Sequence, residues 1–439
     1  MTLTREIKVD ALTRVEGEGG LHVTLDGDQV RDVKLSIYEP PRFFEAFLRG
    51  RPLEEVPDIT ARICGICPVA YQMSAVHSLE QALGVTISLE VRRLRRLLYC
   101  GEWIESHGLH MHLLHAPDFF GVPSGIDLAA KHPDEVNRGL RLKKHGNELL
   151  EVLGGRAIHP INVAVGGFYR APRQDEMQRL IPDFEWGLEA AIAATRWVAT
   201  LDFPDFDQDY DLVALSHPDE YAMNEGEVAS STGLRIPVSE YEQTFEEEHV
   251  AHSTALHSVR LQSGNGPPEA SGRTPYHVGP LARVAINFDC LCEPSRRVAD
   301  DIGYDPGCRN PFQSIIARGL ELIHAYSEAL DILRDYRPFQ PPRASYEYRS
   351  GSGCSATEAP RGLIYHRYAV DDAGQVTFAK IVPPTSQNQR QIEADLRNWL
   401  PRVLHADDQQ TALDCERLIR CYDPCISCST HFLKLTIER

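Results

Sequence analysis

Residues 62–83 read Arg-Ile-Cys-Gly-Ile-Cys-Pro-Val-Ala-Tyr-Gln-Met-Ser-Ala-Val-His-Ser-Leu-Glu-Gln-Ala-Leu. From Cys67 onward apolar residues return every three or four positions, which predicts a helix over 67–83. Gly65 permits the tight turn between Cys64 and Cys67, and a helix starting at the second cysteine fixes the direction of both sulfurs. The same periodicity covers Leu89 to His115, Glu135 to Leu153, Asp175 to Leu201 and Phe312 to Tyr336, each 17 residues or longer. Helices of that length, joined by turns, predict a bundle.

Strand patterns lie at the two ends. Leu21 to Leu25 alternates, Asp26-Gly27 supplies a turn, and Val30 to Tyr38 alternates again, which makes a β-hairpin. A second hairpin is expected from Leu363 to Val370, the turn 371–374 and Val376 to Val382. Ser263 to Pro275 is rich in Gly, Pro and Ser and reads as a loop. The expected fold class is therefore α+β and helix-dominated, a long-helix bundle core with small N- and C-terminal β-hairpins. We read 1–439 as one domain: an N-terminal β region over 1–60, a helical bundle over 61–345, and a C-terminal β region with the second cysteine pair over 346–439.

The composition narrows the function classes. Among 439 residues, 45 Lys+Arg stand against 63 Asp+Glu, a net charge of −18 that repels phosphate backbones and anionic lipid. The basic run Arg92-Arg93-Leu94-Arg95-Arg96 reads as a solvated helix face, so no nucleic-acid partner is expected. No window approaches ~18 consecutive apolar residues, and the start carries no apolar signal core, so no membrane span is expected and the chain reads as intracellular. Eleven cysteines, an odd number spread over a long chain, suit metal or redox chemistry better than a disulfide scaffold.

Cys64-Gly65-Ile66-Cys67 and Cys425-Ile426-Ser427-Cys428 lie almost at opposite ends of the chain. Together they offer four thiolates to one soft metal. Spacing alone leaves zinc, copper(I), an iron-sulfur cluster and nickel open.

The surrounding residues are more specific. Arg62-Ile63-Cys64-Gly65-Ile66-Cys67 and Asp423-Pro424-Cys425-Ile426-Ser427-Cys428-Ser429-Thr430-His431 resemble the two signatures of the large, catalytic subunit of nickel-iron hydrogenases. Thr13-Arg14-Val15-Glu16-Gly17, His159-Pro160 with Gly166-Gly167, Gly279-Pro280-Leu281-Ala282-Arg283 and Glu358-Ala359-Pro360-Arg361-Gly362 match the same family, in order, over essentially the whole chain. Residues beside the ligands look most like the cytosolic, bidirectional, NAD(P)-linked group.

The resemblance implies a function and a site. Cys64, Cys67, Cys425 and Cys428 would bind nickel, with Cys67 and Cys428 bridging to an iron that carries CO and CN ligands. The reaction would be reversible oxidation of H2 to two protons and two electrons, with Cys425 as one candidate base. Glu16 matches the glutamate that passes protons away from the terminal cysteine. Arg361 matches the arginine over the open metal position, with Asp118 and Asp423 as the carboxylates that fix it. Glu45 and His431 resemble ligands of a second ion, magnesium or iron.

Electrons would pass to an iron-sulfur small subunit and on to flavin/NAD(P)-binding diaphorase subunits, in the cytoplasm. Cys290, Cys292, Cys308 and Cys354 fit no common ferredoxin spacing, so no iron-sulfur cluster is expected in this chain. His107, His110, His112 and His115 read as core or surface histidines. Alternatives are a deazaflavin- or disulfide-reductase-linked hydrogenase subunit, a non-catalytic structural homologue related to the quinone-module subunit of respiratory complex I, and a structural zinc protein.

Two departures stand out. Tyr71 occupies a position where many relatives have His, and tyrosine cannot serve as a near-neutral acid or base. Eight residues, Phe432 to Arg439, follow His431, where many relatives are cut; their alternation reads as a retained, docked tail rather than an unprocessed extension.

Overall fold

The computed structural model describes residues 4–261 and 272–430. Three antiparallel strands open it: β1 (Thr4–Val9), β2 (Gly19–Asp26) and β3 (Gln29–Ile37), in the order β1-β2-β3. The helices follow as α1 (Pro68–Leu83), α2 (Leu89–Leu109), α3 (Pro133–Gly154), α4 (Ile181–Val198) and α5 (Ser314–Asp335). Between α4 and α5 lies a hairpin, β4 (Phe245–Glu248) with β5 (His257–Leu261). The C-terminal part carries β6 (Gly351–Ala359), β7 (Gly362–Val370) and β8 (Val376–Val382), then α6 (Pro384–Val403) and α7 (Asp408–Cys421).

The helical periods and both hairpins thus appear where the pattern places them, with local differences. The single helix expected over Asp175–Leu201 is divided into Gln174–Gln178 and α4, with Pro182 in the first turn of α4. Proline lacks the N–H that would continue an earlier helix and fits best at a helix start. The segment 61–345 is not helical throughout: besides β4 and β5 it holds strands Val213–Ser216 and Glu227–Ser230. The stretch after α2 continues as a π-helical turn, His110–His115, a wider winding often found at functional sites.

Strand β6 was not legible because its sequence, Gly-Ser-Gly-Cys-Ser-Ala-Thr-Glu-Ala, has no apolar alternation. Packing explains the small residues. A Cβ on Gly353 would sit 2.1 Å from the Ser78 carbonyl oxygen, so β6 lies directly on α1. Ser78 Oγ in turn donates to the Gly353 carbonyl (2.7 Å). Both elements that carry α1 and the β6–β7 turn are thereby locked together, and that turn holds Arg361.

No helix among the described residues is long and apolar enough to cross a membrane. The Ser263–Pro275 loop reading falls largely outside the described residues, as do His431 and the tail Phe432–Arg439.

Candidate metal centre

The two cysteine pairs meet. Cys64 Sγ lies 3.5 Å from Cys425 Sγ and Cys67 Sγ 3.9 Å from Cys428 Sγ, with Cys425 and Cys428 2.7 Å apart. All four are buried and outside any disulfide, and their sulfurs fall within 4.8 Å of one another. Ligands at about 2.3 Å around one tetrahedral metal would stand about 3.8 Å apart, between the two cross-pair separations. The donor set therefore fits a soft metal.

Each pair is built by its own loop. Cys67 caps the N-terminus of α1, and Cys64 Sγ accepts from the Ile66 and Cys67 amides at 3.3 and 3.1 Å. Glu102 of α2, fully buried, accepts from the Val69 and Ala70 amides (2.6 and 3.2 Å) and fixes the first turn of α1. On the other side the Cys425 amide donates to Thr385 Oγ1 of α6 (3.0 Å). Burial pushes the Cys425 thiol up, whereas Cys64, despite burial, is brought well below the usual thiol range by hydrogen bonding within the cluster and by the Arg361 charge.

Glu16 stands beside Cys425. The two residues form an isolated parallel bridge in which the Ile426 amide donates to the Glu16 carbonyl (2.9 Å). Cys425 Sγ donates to Glu16 Oε2 at 3.1 Å, and the Ser427 amide donates to the same oxygen at 3.1 Å. Gly17 makes this approach possible: its φ is +88°, and a Cβ there would come within 2.8 Å of Ile426 Cβ.

Arg361 is held over the cluster by one aspartate. Its Nε donates to the Asp423 carbonyl (2.7 Å) and its Nη2 to Asp423 Oδ1 (3.1 Å), while Nη1 is buried without a hydrogen-bond partner among the described residues. Burial alone would lower the Arg361 pKa; Asp423 and the cluster sulfurs raise it well above the ordinary value. Arg283 supports the loop, donating to the Ala359 and Pro360 carbonyls (2.8 and 2.9 Å) and to Glu321 and Glu358. This gives the Gly279–Arg283 motif a role that the sequence alone did not.

The expected Arg361–Asp118 pairing is not what the structure shows. Asp118 Oδ2 and Oδ1 accept from Arg420 Nε and Nη2, both at 2.8 Å, and Oδ1 also accepts from Arg14. Arg420 lies on α7, immediately before the second cysteine loop, so it reaches Asp118 in place of Arg361. Asp118 therefore secures the Thr13–Arg14 loop and α7 rather than the Arg361 guanidinium beside the cysteine cluster. Arg14 and Asp423 both adopt left-handed backbone, φ 56° and 51°, at about 1–2 kcal/mol each, a conformation these contacts impose.

Asp118→Ala is expected to lower stability by about 3–5 kcal/mol, because Arg420, 2% exposed, loses its buried carboxylate. A urea midpoint measured against the parent checks this. Burial would raise the Asp118 carboxyl, but Arg420 and Arg14 bring it below the ordinary value. The stability it contributes is thus present above about pH 4 and is lost as pH falls through the lowered value, and the Asp118→Ala variant should lack that acid-side loss.

The remaining expected residues sort clearly. Glu45 accepts from the Ile381 amide (2.8 Å), and burial raises its carboxyl to about 7. Its expected partner His431 is outside the described residues. The four histidines take separate partners: His107 meets Glu321 (3.0 Å), His110 donates to the Arg420 carbonyl (2.9 Å), His112 donates to the Gly108 carbonyl (3.0 Å), and His115 lies by Cys421. Cys290, Cys292, Cys308 and Cys354 belong to no converging metal-ligand group among the described residues.

Sequence reading missed Arg42. Its guanidinium donates to the Ile63 carbonyl (2.7 Å), beside Cys64, and to the Ser427 carbonyl, beside Cys428, joining the two cysteine loops. Tyr71, one turn into α1, is buried with its hydroxyl unpartnered among the described residues, and burial with the nearby cluster sulfurs pushes its pKa well up. The cluster thus has two unpaired donors beside it, Tyr71 Oη and Arg361 Nη1.

Comparison with known proteins agrees with this geometry. Residues 42–141 and 271–431 match the family described as nickel-dependent hydrogenase. The chain is 33% identical to the sulfhydrogenase 1 subunit alpha of Pyrococcus furiosus over 433 residues, covering 98% of each. It is 26% identical to the NAD-reducing hydrogenase HoxS subunit beta of Cupriavidus necator, covering 98% of this chain and 96% of that one. A solved NAD+-reducing [NiFe]-hydrogenase in the H2-reduced state superposes with a TM-score of 0.87 at 25% identity, over 97% of this chain and 99% of that one. Four buried convergent thiols, the match over both cysteine segments and likeness along nearly the whole length lead to one conclusion: this chain belongs to the nickel-dependent hydrogenases, as a large, catalytic subunit.

Proposed function

We propose that the chain carries a nickel-iron centre on Cys64, Cys67, Cys425 and Cys428, with CO and CN ligands on the iron, and that its electrons leave for an NAD(P)-linked module. The observation that carries the reading is the pairing of four buried sulfurs with two unpartnered buried donors, Tyr71 Oη and Arg361 Nη1. Buried donors without acceptors are costly, and diatomic ligands on a metal held by those sulfurs supply acceptors. When bound, such a centre supplies the Lewis acid that polarises H2 and takes up its electrons.

The protein side of the chemistry is proton handling. Cys425 Sγ and Glu16 Oε2, 3.1 Å apart, make a relay out of a buried cluster, with Glu16 itself partly exposed. Arg361 holds a positive charge against the sulfurs and leaves one N–H pair directed at no protein group. Arg361→Lys keeps the charge but loses the planar fork that engages Asp423 twice. Turnover is expected to fall about 10–100-fold with nickel content unchanged, measured as hydrogen-driven dye reduction per nickel.

Partners are read from the surface and from the relatives. Ile158, about half exposed, lies at the first cysteine loop, its Cγ2 3.9 Å from the position of a Cβ on Gly65, and Ile161, also about half exposed, follows three residues on. That exposed apolar side chain beside the Cys64–Cys67 loop suits docking of an iron-sulfur small subunit. An NAD(P)-reducing flavin module behind it is supported by the NAD-reducing relative and structural neighbour. With that acceptor the reading places the complex in the cytoplasm. Glu45 is the protein carboxylate for a second ion, magnesium suiting a single carboxylate with waters.

An infrared spectrum of the purified complex tests the centre. Carbonyl and cyanide bands are expected in the otherwise empty triple-bond region; their absence, with zinc in place of nickel by elemental analysis, sinks the proposal. The acceptor is tested separately by following NAD(P)+ reduction under H2. A complex that reduces dyes but neither nucleotide refutes the NAD(P) assignment alone.

A further inference from the structure

We propose that His252, His257 and Glu393 form a separate site for a borderline divalent cation of the zinc class, sharing no residue with the cysteine cluster. His252 lies in the β4–β5 turn, His257 opens β5, and Glu393 projects from α6. His252 Nε2 is 2.7 Å from Glu393 Oε1, His257 Nδ1 is 4.0 Å from Glu393 Oε2, and one ligand atom from each residue lies within 4.8 Å of the others. The 4.0 Å separation is too long for a hydrogen bond. It suits two ligands that close by a few tenths of an ångström onto one shared ion, since ligands at about 2.0–2.2 Å stand roughly 3.4 Å apart in a tetrahedron.

Three further observations favour an ion over a plain His–Glu pair. His257 is buried, 2% exposed at the side chain, and the nitrogen it presents to Glu393 is Nδ1, at a distance that is not a hydrogen bond, while its Nε2, unpartnered among the described residues, lies on the other side of the ring. The two imidazole rings stand nearly perpendicular, at 84° with centroids 5.5 Å apart, so they do not stack on each other. His252 and Glu393, 19% and 16% exposed, leave a solvent-facing side for a water as fourth ligand. Two imidazoles and one carboxylate form a donor set for zinc-class ions rather than for magnesium or calcium.

Such an ion joins three parts of the chain. The Leu35 amide of β3 donates to Glu393 Oε1 (2.9 Å), which orients the carboxylate. The site therefore fastens the β4–β5 turn to α6 and to the N-terminal sheet. Helix α6 is also the element whose first turn supplies Thr385 to the Cys425 amide.

Cobalt(II) is the probe. The purified, nickel-loaded complex is dialysed against a chelator and titrated with Co2+. Visible d–d bands without thiolate charge transfer are expected to saturate at one ion per chain, to be displaced by Zn2+, and to vanish in His252→Gln and Glu393→Gln. Both substituted side chains are partly exposed, so folding is not at stake. Zn2+ should also raise the melting temperature of the parent and not of either variant, with nickel content and dye reduction the same in all three. Absence of the bands in the parent, or equal bands in the variants, overturns the site. Neither result bears on the cysteine centre, whose readouts are nickel and the infrared bands.

Discussion

Glu16→Gln is expected to cut hydrogen-driven dye reduction by about 10²–10⁴-fold while nickel content and the infrared bands stay as in the parent. The range is that of a positioned general acid or base, equivalent to about 2.7–5.5 kcal/mol of barrier. The substitution is chosen because the structure separates two functions of this side chain. Glu16 Oε2 accepts from the Ser427 amide at 3.1 Å, and an amide oxygen can do the same. It also faces the Cys425 thiol at 3.1 Å, where only a titratable group can take and release a proton. Glutamine preserves the first contact and removes the second. The bridge between Glu16 and Cys425 runs through backbone, so the cluster stays assembled. Near-parental turnover in a nickel-replete variant would show that protons leave by another route. A variant that has also lost nickel would indicate a structural role instead, and the backbone contacts argue against that outcome.

What the sequence revealed about this site follows from how each residue acts. Residues that place their own side chains at the cluster stand in short, recognisable motifs: the four cysteines, Glu16 beside Gly17, and Arg361 after Pro360. Gly17 is legible for the same reason, since only a residue without Cβ lets Glu16 lie against Ile426. Residues that act on backbone groups of distant segments were invisible. Arg42 joins the Ile63 and Ser427 carbonyls, positions that become neighbours only after folding. Glu102 receives two amides of α1 from inside α2, where it reads as one more polar residue on a long helix.

The Asp118 pairing failed for a related reason. An aspartate motif says that a guanidinium is near, but Arg14, Arg361 and Arg420 all approach this region, and the choice among them depends on where α7 ends. Fold legibility divides along the same line. Periodicity located α1, α2, α3 and α5 because each buries a continuous stripe. It missed β6, whose small residues are dictated by close contact with α1 rather than by alternation. The widened turn at His110–His115 has no pattern of its own: of its three histidines, His110 and His115 meet groups of the distant C-terminal segment, and His112 turns back to the Gly108 carbonyl.

Cys425→Ser is expected to abolish nickel incorporation and all hydrogen-dependent activity, whereas Cys421→Ser, four residues earlier, should retain both. The contrast isolates coordination from burial. Both sulfurs are buried, at 1% and 2% exposure, and both are pushed up as thiols by that burial. Cys421 Sγ donates to the Arg417 carbonyl at 3.3 Å and rests 3.6 Å from His115 Nε2, contacts a serine hydroxyl can reproduce. Cys425 Sγ faces Cys64 Sγ, Cys428 Sγ and Glu16 instead. A serine hydroxyl there is a hard, weakly acidic donor and cannot replace a soft thiolate in a set of four. The fold around it should survive, because the Cys425 amide keeps Thr385 and the Ile426 amide keeps the Glu16 carbonyl. Circular dichroism of the Cys425→Ser chain should therefore match the parent while elemental analysis finds no nickel. Nickel at the parental level in Cys425→Ser would mean that three thiolates suffice and that Cys425 is not a ligand. Loss of nickel in Cys421→Ser as well would mean that the experiment reports general disruption of the α7 end rather than the ligand set.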